Sequence, residues 1–267
     1  MADGGPELFK LKSSKYFAGF LCSLFVFVNG LLAQTSNPFK SGEMLKYSAW
    51  FNFIKGGESE LYLLGIEEIN GKPVYHVRSV TKSVPFFDRF YKVRDIMDSW
   101  IDTSTQVSYR FQKSLREGNY RKKYSVDFDY GKGLAVSEDA RKAIPDIVHD
   151  GLSMIYYVRS KKIEIGNIFK INFFDNDSLR PFLIEVKGTE IVKVPFGKVE
   201  CYVLAPYLES GKSLKHKSKV TIYLSTDKNR IPVMISNEAR FGSLILKLEA
   251  IESVDPVPYT HLTLPTN

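Results

Sequence analysis

Acidic side chains on alternating, strand-like segments are where this sequence could carry chemistry. Asp95 stands in phase with Tyr91, Val93, Met97 and Ile101, so a strand there would turn it toward the apolar side. An unpaired carboxylate in a core is costly, which makes a partner obligatory and Arg78 or Arg110 the candidates. A buried polar group of this kind is more simply a structural hydrogen bond or ion pair, or a ligand contact, than an acid/base group. Asp127 and Asp129 share one face of a neighbouring run, and converged with Asp95 they would supply the paired carboxylates of a glycan-acting hydrolase. That face also carries Arg121 and Lys123, and solvated charge is the simpler reading.

Other catalytic arrangements are poorly supported. No Gly-x-Ser-x-Gly turn is present, and Cys201, between Tyr202 and Glu200 in an alternating stretch, reads as a small buried hydrophobe with no group to ionise it. His76 alternates with Tyr75 and Val77 and is expected to face solvent. His216 lies among Lys212, Lys215, Lys217 and Lys219, which would repel a cation, and Asp150 beside His149 is better employed as a helix cap. Asp175-Asn176-Asp177-Ser178 lacks the central Gly and closing Glu of a calcium loop and reads as a polar turn. No catalytic residue, cofactor or metal is therefore expected. Two basic clusters remain, Arg121, Lys122 and Lys123 beside Arg116, and Lys212 to Lys219 with Lys215 and Lys217. Each is a candidate basic surface for an anionic lipid or glycan, against the default of a solvated turn.

The elements that must position these groups are strands. From residue 43 to residue 251 the dominant period is two, as in Tyr120, Tyr124, Val126, Phe128 and Tyr130 against Arg121, Lys123, Ser125, Asp127 and Asp129. Tyr47, Ala49, Phe51 and Phe53 form a second apolar face, and Val220, Ile222 and Leu224 a third. Turn signals punctuate the runs at Lys55-Gly56-Gly57, Asn70-Gly71, Gly118-Asn119, Gly131-Lys132-Gly133, Phe196-Gly197 and Asp227-Lys228-Asn229. Short links between half-buried strands predict an all-β, antiparallel meander curled into a half-barrel or barrel-like sheet. One short helix is expected near residues 150–161, capped by Asp150 and carrying Leu152, Ile155, Tyr156 and Arg159, placed to plug a mouth or cover an edge. Residues 135–145 are the best loop candidate.

The ends read differently. Lys10, Lys12 and Lys15 precede an apolar run from Tyr16 to Leu32, a secretory signal pattern with cleavage expected near Ala33. Tyr259 to Thr266 resembles the translated read-through of a transposase adapter used in sequencing libraries, so residues 259–267 are set aside as a non-native tail. The expected organisation is a signal peptide at 1–33 and a single β domain at 34–258. With 44% hydrophobic and 25% charged residues the chain is foldable rather than disordered, and a net charge of +7 is too mild to assign a partner. Only Cys201 survives cleavage, so the body must hold together without an internal disulfide.

Gly42-Glu43-Met44-Leu45-Lys46-Tyr47, the stretch from Asp95 to Asp102 with Ser99, and Glu117-Gly118-Asn119-Tyr120 before Phe128-Asp129 resemble the domain of unknown function 3108 family. Asp150-Gly151-Leu152-Ser153 with Tyr156, Tyr157 and Arg159, then Gly188-Thr189-Glu190, then Leu224-Ser225-Thr226-Asp227 with Arg230, Pro232 and Val233, extend the resemblance over nearly the whole body. Gly151 departs from the aliphatic residue expected there. The resemblance implies an exported protein of Gram-negative envelopes with a strongly bent meander, and no established reaction. The expectation is a periplasmic or envelope-associated, non-catalytic protein without an integral membrane span after cleavage. Its partners would be a lipid, a glycan or an envelope protein, not nucleic acid. A carboxylate hydrolase and an assembly adaptor using a sheet edge or the Lys212 to Lys219 loop are the alternatives.

Overall fold

The structure, a computed structural model, describes residues 38–208, 210, 218–239 and 242–253. The expected signal peptide, the expected tail, and His216, Lys215 and Lys217 lie outside the described residues. Eight strands occupy the first half: β1 (Glu43–Phe51), β2 (Ile54–Ile69), β3 (Lys72–Ser83), β4 (Arg94–Asp102), β5 (Ser108–Glu117), β6 (Tyr120–Asp129), β7 (Leu134–Ser137) and β8 (Arg141–Ala143). After the helix α2 (Ser153–Ser160) follow β9 (Ile168–Asp175), β10 (Ser178–Val194), β11 (Gly197–Tyr207), β12 (Ser218–Ser225), β13 (Pro232–Ala239) and β14 (Gly242–Ser253). A short helix α1 (Pro85–Asp88) sits between β3 and β4 and was not legible in the period-two pattern.

All fourteen strands join one sheet in the order β8-β7-β6-β5-β4-β3-β2-β1-β14-β13-β12-β11-β10-β9. Every neighbour pairing is antiparallel, so the chain forms two meanders that fan out from the central β1·β14 pair. The long strands bend at register shifts between Leu63 and Gly65 and between Val186 and Gly188, the extra residue in each raising local twist and curling the sheet.

The ladder does not close between β8 and β9; a strip of loop bridges the gap. Ser108 N–H donates to the Val148 carbonyl at 3.1 Å, His149 N–H to Asn172 at 2.9 Å, and Phe174 N–H to His149 at 2.9 Å. Behind that strip Phe174 packs edge-on to Phe128, with Phe111, Val126 and Val148 around them. Lys113 pairs with Asp175 and Tyr124 donates to Asp177 at 3.0 Å, which draws the β9 edge against the buried face of β5 and β6. The Asp175-Asn176-Asp177-Ser178 segment is thus a β9–β10 turn, with positive φ at Asn176 and Asp177.

Among the described residues, side chains of the sheet and of α2 pack into the interior. Leu45, Leu61, Leu63, Val77, Ile101 and Leu248 from the sheet meet Leu152 and Tyr156 of the helical segment. A second cluster joins Val158 to Ile171, Ile184, Leu204 and Leu224, where the space left beside Met154 and Ile155 is only about 10 Å³. The helix therefore plugs the curl.

Several local expectations need correction. Gly56 and Gly57 lie inside β2, not in a turn, and Gly57 is required there because a Cβ would stand 2.7 Å from the Lys82 carbonyl oxygen. The turn falls at Asn52 and Phe53 instead, which leaves Phe51 and Phe53 exposed at a strand end. Residues 135–145 are not a plain loop: they contribute β7 and β8, strands too short for their pattern to register.

Candidate functional site

Two polar clusters are structural. Asp150 is fully buried; its Oδ1 accepts the Leu152 and Ser153 N–H groups at 2.7 and 3.0 Å, capping the helical turn, and its Oδ2 accepts the Ser99 and Ser108 hydroxyls at 2.6 Å each. Burial pushes its carboxyl up, against the pull of those hydroxyls. Arg159 is also fully buried: Nη1 and Nη2 grip Glu43 at 2.6 and 2.8 Å, and the Phe39 and Tyr156 rings each lie 5.2 Å from its guanidinium carbon. Both clusters tie the helix to the sheet.

A third network lies on the outer face of β2 to β6, opposite the phase of Ser99 and Ile101. His76 does not face solvent: Nδ1 is 2.6 Å from Glu67 and Nε2 is 2.7 Å from Asp98, and the ring stacks on Trp100 at 4.5 Å. Arg78 donates to the same Asp98 oxygen at 2.7 Å, and Trp100 Nε1 donates to Glu67. Burial alone would raise the Asp98 carboxyl, but the hydrogen bonds from His76 and Arg78 outweigh it and hold it low. Arg110 pairs with Asp127. The arginines expected to neutralise Asp95 are thus committed elsewhere, because their strand phase is even and that of Asp95 is odd.

Asp95 is buried, and its Oδ1 accepts the backbone N–H of Arg116 at 2.8 Å. Its second neighbour is Glu117, which sequence reasoning missed; burial first, then the Asp95 charge and hydrogen bond, push the Glu117 carboxyl up. Beside this pair is a depression of about 260 Å³ lined by Val80, Thr81, Lys82, Arg94, Asp95, Ile96, Ser114 and Arg116. Val80 and Ile96 stand side by side in register as its apolar floor, with the hydroxyl-bearing Ser114 next to Ile96, and Lys82 lies opposite Arg94 in the next row. Arg94 is held by Asp88, whose carboxyl it and Ser83 keep below the ordinary range, and Lys82 is 3.5 Å from Glu58. Among the described residues Arg116 has no carboxylate within ion-pair distance, so it is the group there with charge to spare. Arg121 and Lys123 extend the basic row on β6, opposite Arg116 and Ser114, and Lys122 lies 5.8 Å from the Tyr124 ring. Strand phase was the signal that could have grouped Lys82, Arg94 and Arg116.

This arrangement can bind an anion over an apolar floor. It does not converge the carboxylates named from sequence, since Asp127 is taken by Arg110 and Asp129 by Lys132 at the β6–β7 turn. Among the described residues no cluster of His, Cys, Asp and Glu is arranged to hold a metal, and no helix is long and apolar enough to cross a membrane.

Residues 45–249 match the model of a family described as "Protein of unknown function (DUF3108)". No curated protein matches the chain. Among solved structures, a β-barrel-like protein of domain of unknown function DUF1849 from Brucella abortus is similar at 11% identity and a TM-score of 0.52, over 80% of this chain and 98% of that one. A hypothetical protein from Chlamydia trachomatis is similar at 8% identity and a TM-score of 0.39, over 85% of this chain and 94% of that one. At such identity the Brucella likeness is one of fold alone.

Proposed function

The chain belongs to the DUF3108 family of proteins of unknown function, and from that premise we propose that it is an exported cell-envelope protein that binds an anionic amphipathic molecule without transforming it. The observation that carries this reading is the depression on β3 to β5, where an apolar floor of Val80 and Ile96 lies under Lys82, Arg94 and the unneutralised Arg116. The packing of α2 against the sheet supports it from the other side: among the described residues little space is left beside Met154 and Ile155, so the depression on the outer face is the place for a ligand. At about 260 Å³ the depression suits a headgroup and the start of its chain rather than a whole lipid. The basic, then apolar, leader at Lys10 to Leu32 supports export, and with it a periplasmic or envelope-associated location.

The test is calorimetric titration with short-chain phosphatidylglycerol below its micelle concentration. Saturable binding is expected, weakened about tenfold by Arg116→Gln or Ile96→Ser and about tenfold weaker for short-chain phosphatidylcholine. Equal affinity for the two lipids, or indifference to both substitutions, refutes the reading.

A further inference from the structure

Large apolar side chains that the core does not use are concentrated where the strands turn at one end of the curl. Phe53 is 91% exposed in the β1–β2 turn, beside exposed Phe51 and Ile54, and Phe90 is 75% exposed after α1, beside exposed Phe86 and Tyr91. These segments are tied together. Asn52 N–H donates to Ser243 of β14 at 2.8 Å, Val84 N–H to Gly56 of β2 at 3.0 Å, and Gly118 N–H of the β5–β6 turn to Lys92 at 2.9 Å. At Gly118, with φ of +53°, any Cβ would sit 2.8 Å from the Tyr91 ring, so that glycine lets the two turns touch. The result is one continuous rim of aromatic tips, with exposed Tyr120 at its far side. Scattered exposed hydrophobes are ordinary, whereas a contiguous patch marks a docking surface.

The charges around the rim select its occupant. Arg89 and Lys92 are interleaved with Phe90 and Tyr91, Arg121 and Lys122 flank Tyr120, and the one acid of the α1 connection, Asp88, is neutralised by Arg94. Protein interfaces deplete lysine from their centres, whereas aromatic tips interleaved with lysine and arginine match a bilayer interface, the rings entering the acyl boundary and the cations meeting lipid phosphates. We propose that this rim docks the protein on the surface of an anionic phospholipid bilayer. The inference goes beyond the binding depression and survives its failure, because the side chains that would insert are not those that line it.

Vesicle co-sedimentation tests it, with phosphatidylethanolamine–phosphatidylglycerol vesicles compared with pure phosphatidylcholine at low and high salt. The full chain is expected to partition onto the anionic vesicles and to be released by salt. Phe53→Ser with Phe90→Ser should lower the partition coefficient about tenfold or more, as loss of buried aromatic area implies. Arg89→Gln with Lys92→Gln should lower it about threefold or more and remove most of the salt dependence. Arg116→Gln should leave it nearly unchanged, which separates this rim from the depression. All these side chains are at the surface, and unchanged circular dichroism would certify folding. Equal partition onto both vesicle types, no loss in the tip variant, or a dimer in sedimentation equilibrium that the tip variant abolishes while vesicles capture nothing would overturn the proposal.

Discussion

Replacing Arg159 by methionine strikes a fully buried charge that ties α2 to β1. Its guanidinium has no exposure, the Glu43 carboxylate it grips is only 12% exposed, and Nη2 also reaches the Asn229 carbonyl at 3.2 Å. Arg159→Met leaves Glu43 charged and unpaired in the interior, a change that costs about 3–5 kcal/mol. The orphaned Asn229 carbonyl adds on the order of 1 kcal/mol, and the lost contacts with the Phe39 and Tyr156 rings a similar amount. These losses overlap, so the expected change is about 4 kcal/mol, a large share of the ~5–15 kcal/mol that holds a domain together. The double variant Glu43→Leu/Arg159→Met removes both charges and should recover all but about 1–2 kcal/mol, since a buried pair barely exceeds its own desolvation. Urea unfolding followed by the fluorescence of Trp50 and Trp100, run on the wild type, both single variants and the double variant, gives the coupling energy directly. A loss below about 1 kcal/mol in Arg159→Met, or a double variant as unstable as the sum of the singles, would refute the reasoning.

Three further outcomes are expected. Burial pushes the His149 imidazole down to about 4, with Lys161 also disfavouring its charge, so its contribution to stability is present above its ordinary value near 6.5 and lost as pH falls through 4. Relative to His149→Gln, the wild type should lose about 3 kcal/mol between neutral pH and pH 4, read from urea midpoints at each pH. Glu117 has the opposite sign: its raised carboxyl favours the fold below the ordinary 4.5 and loses that advantage as pH rises, so Glu117→Gln should be the more stable protein at neutral pH; a lower melting temperature there would contradict the Asp95–Glu117 repulsion. Gly57→Ala must push a methyl into the Lys82 carbonyl oxygen 2.7 Å away, and a loss of about 1–3 kcal/mol in thermal unfolding is expected.

Period-two patterning was enough to read the antiparallel meander, and the glycine and asparagine turns at Asn70-Gly71, Gly118-Asn119 and Gly131 to Gly133 fall where the strands reverse. These are local properties: a turn needs its own backbone freedom, and a half-buried strand needs alternate apolar side chains, whatever lies across the sheet. Asp150 as a helix cap was readable for the same reason, while its two serine partners on β4 and β5 were not. The end of β1 at Phe51 and the fate of Gly57 depend on how closely β3 approaches, which no alternation encodes. Phase also announced that Asp95 would be buried, but which cation faces it depends on register and on which strand neighbours which. Arg78 and Arg110 point to the other side of the same sheet, and only tertiary pairing could place Glu117 and the backbone N–H of Arg116 beside Asp95 instead. Alternation alone was enough for the long strands and for most of the side chains that turn inward, but not for the short β7 and β8 or for the start of β2. That α2 packs into that core, that β9 is drawn against β5 and β6 by a loop strip, and that three turns meet as an aromatic rim could be seen only in the folded chain, because each of these is a contact between segments far apart in sequence.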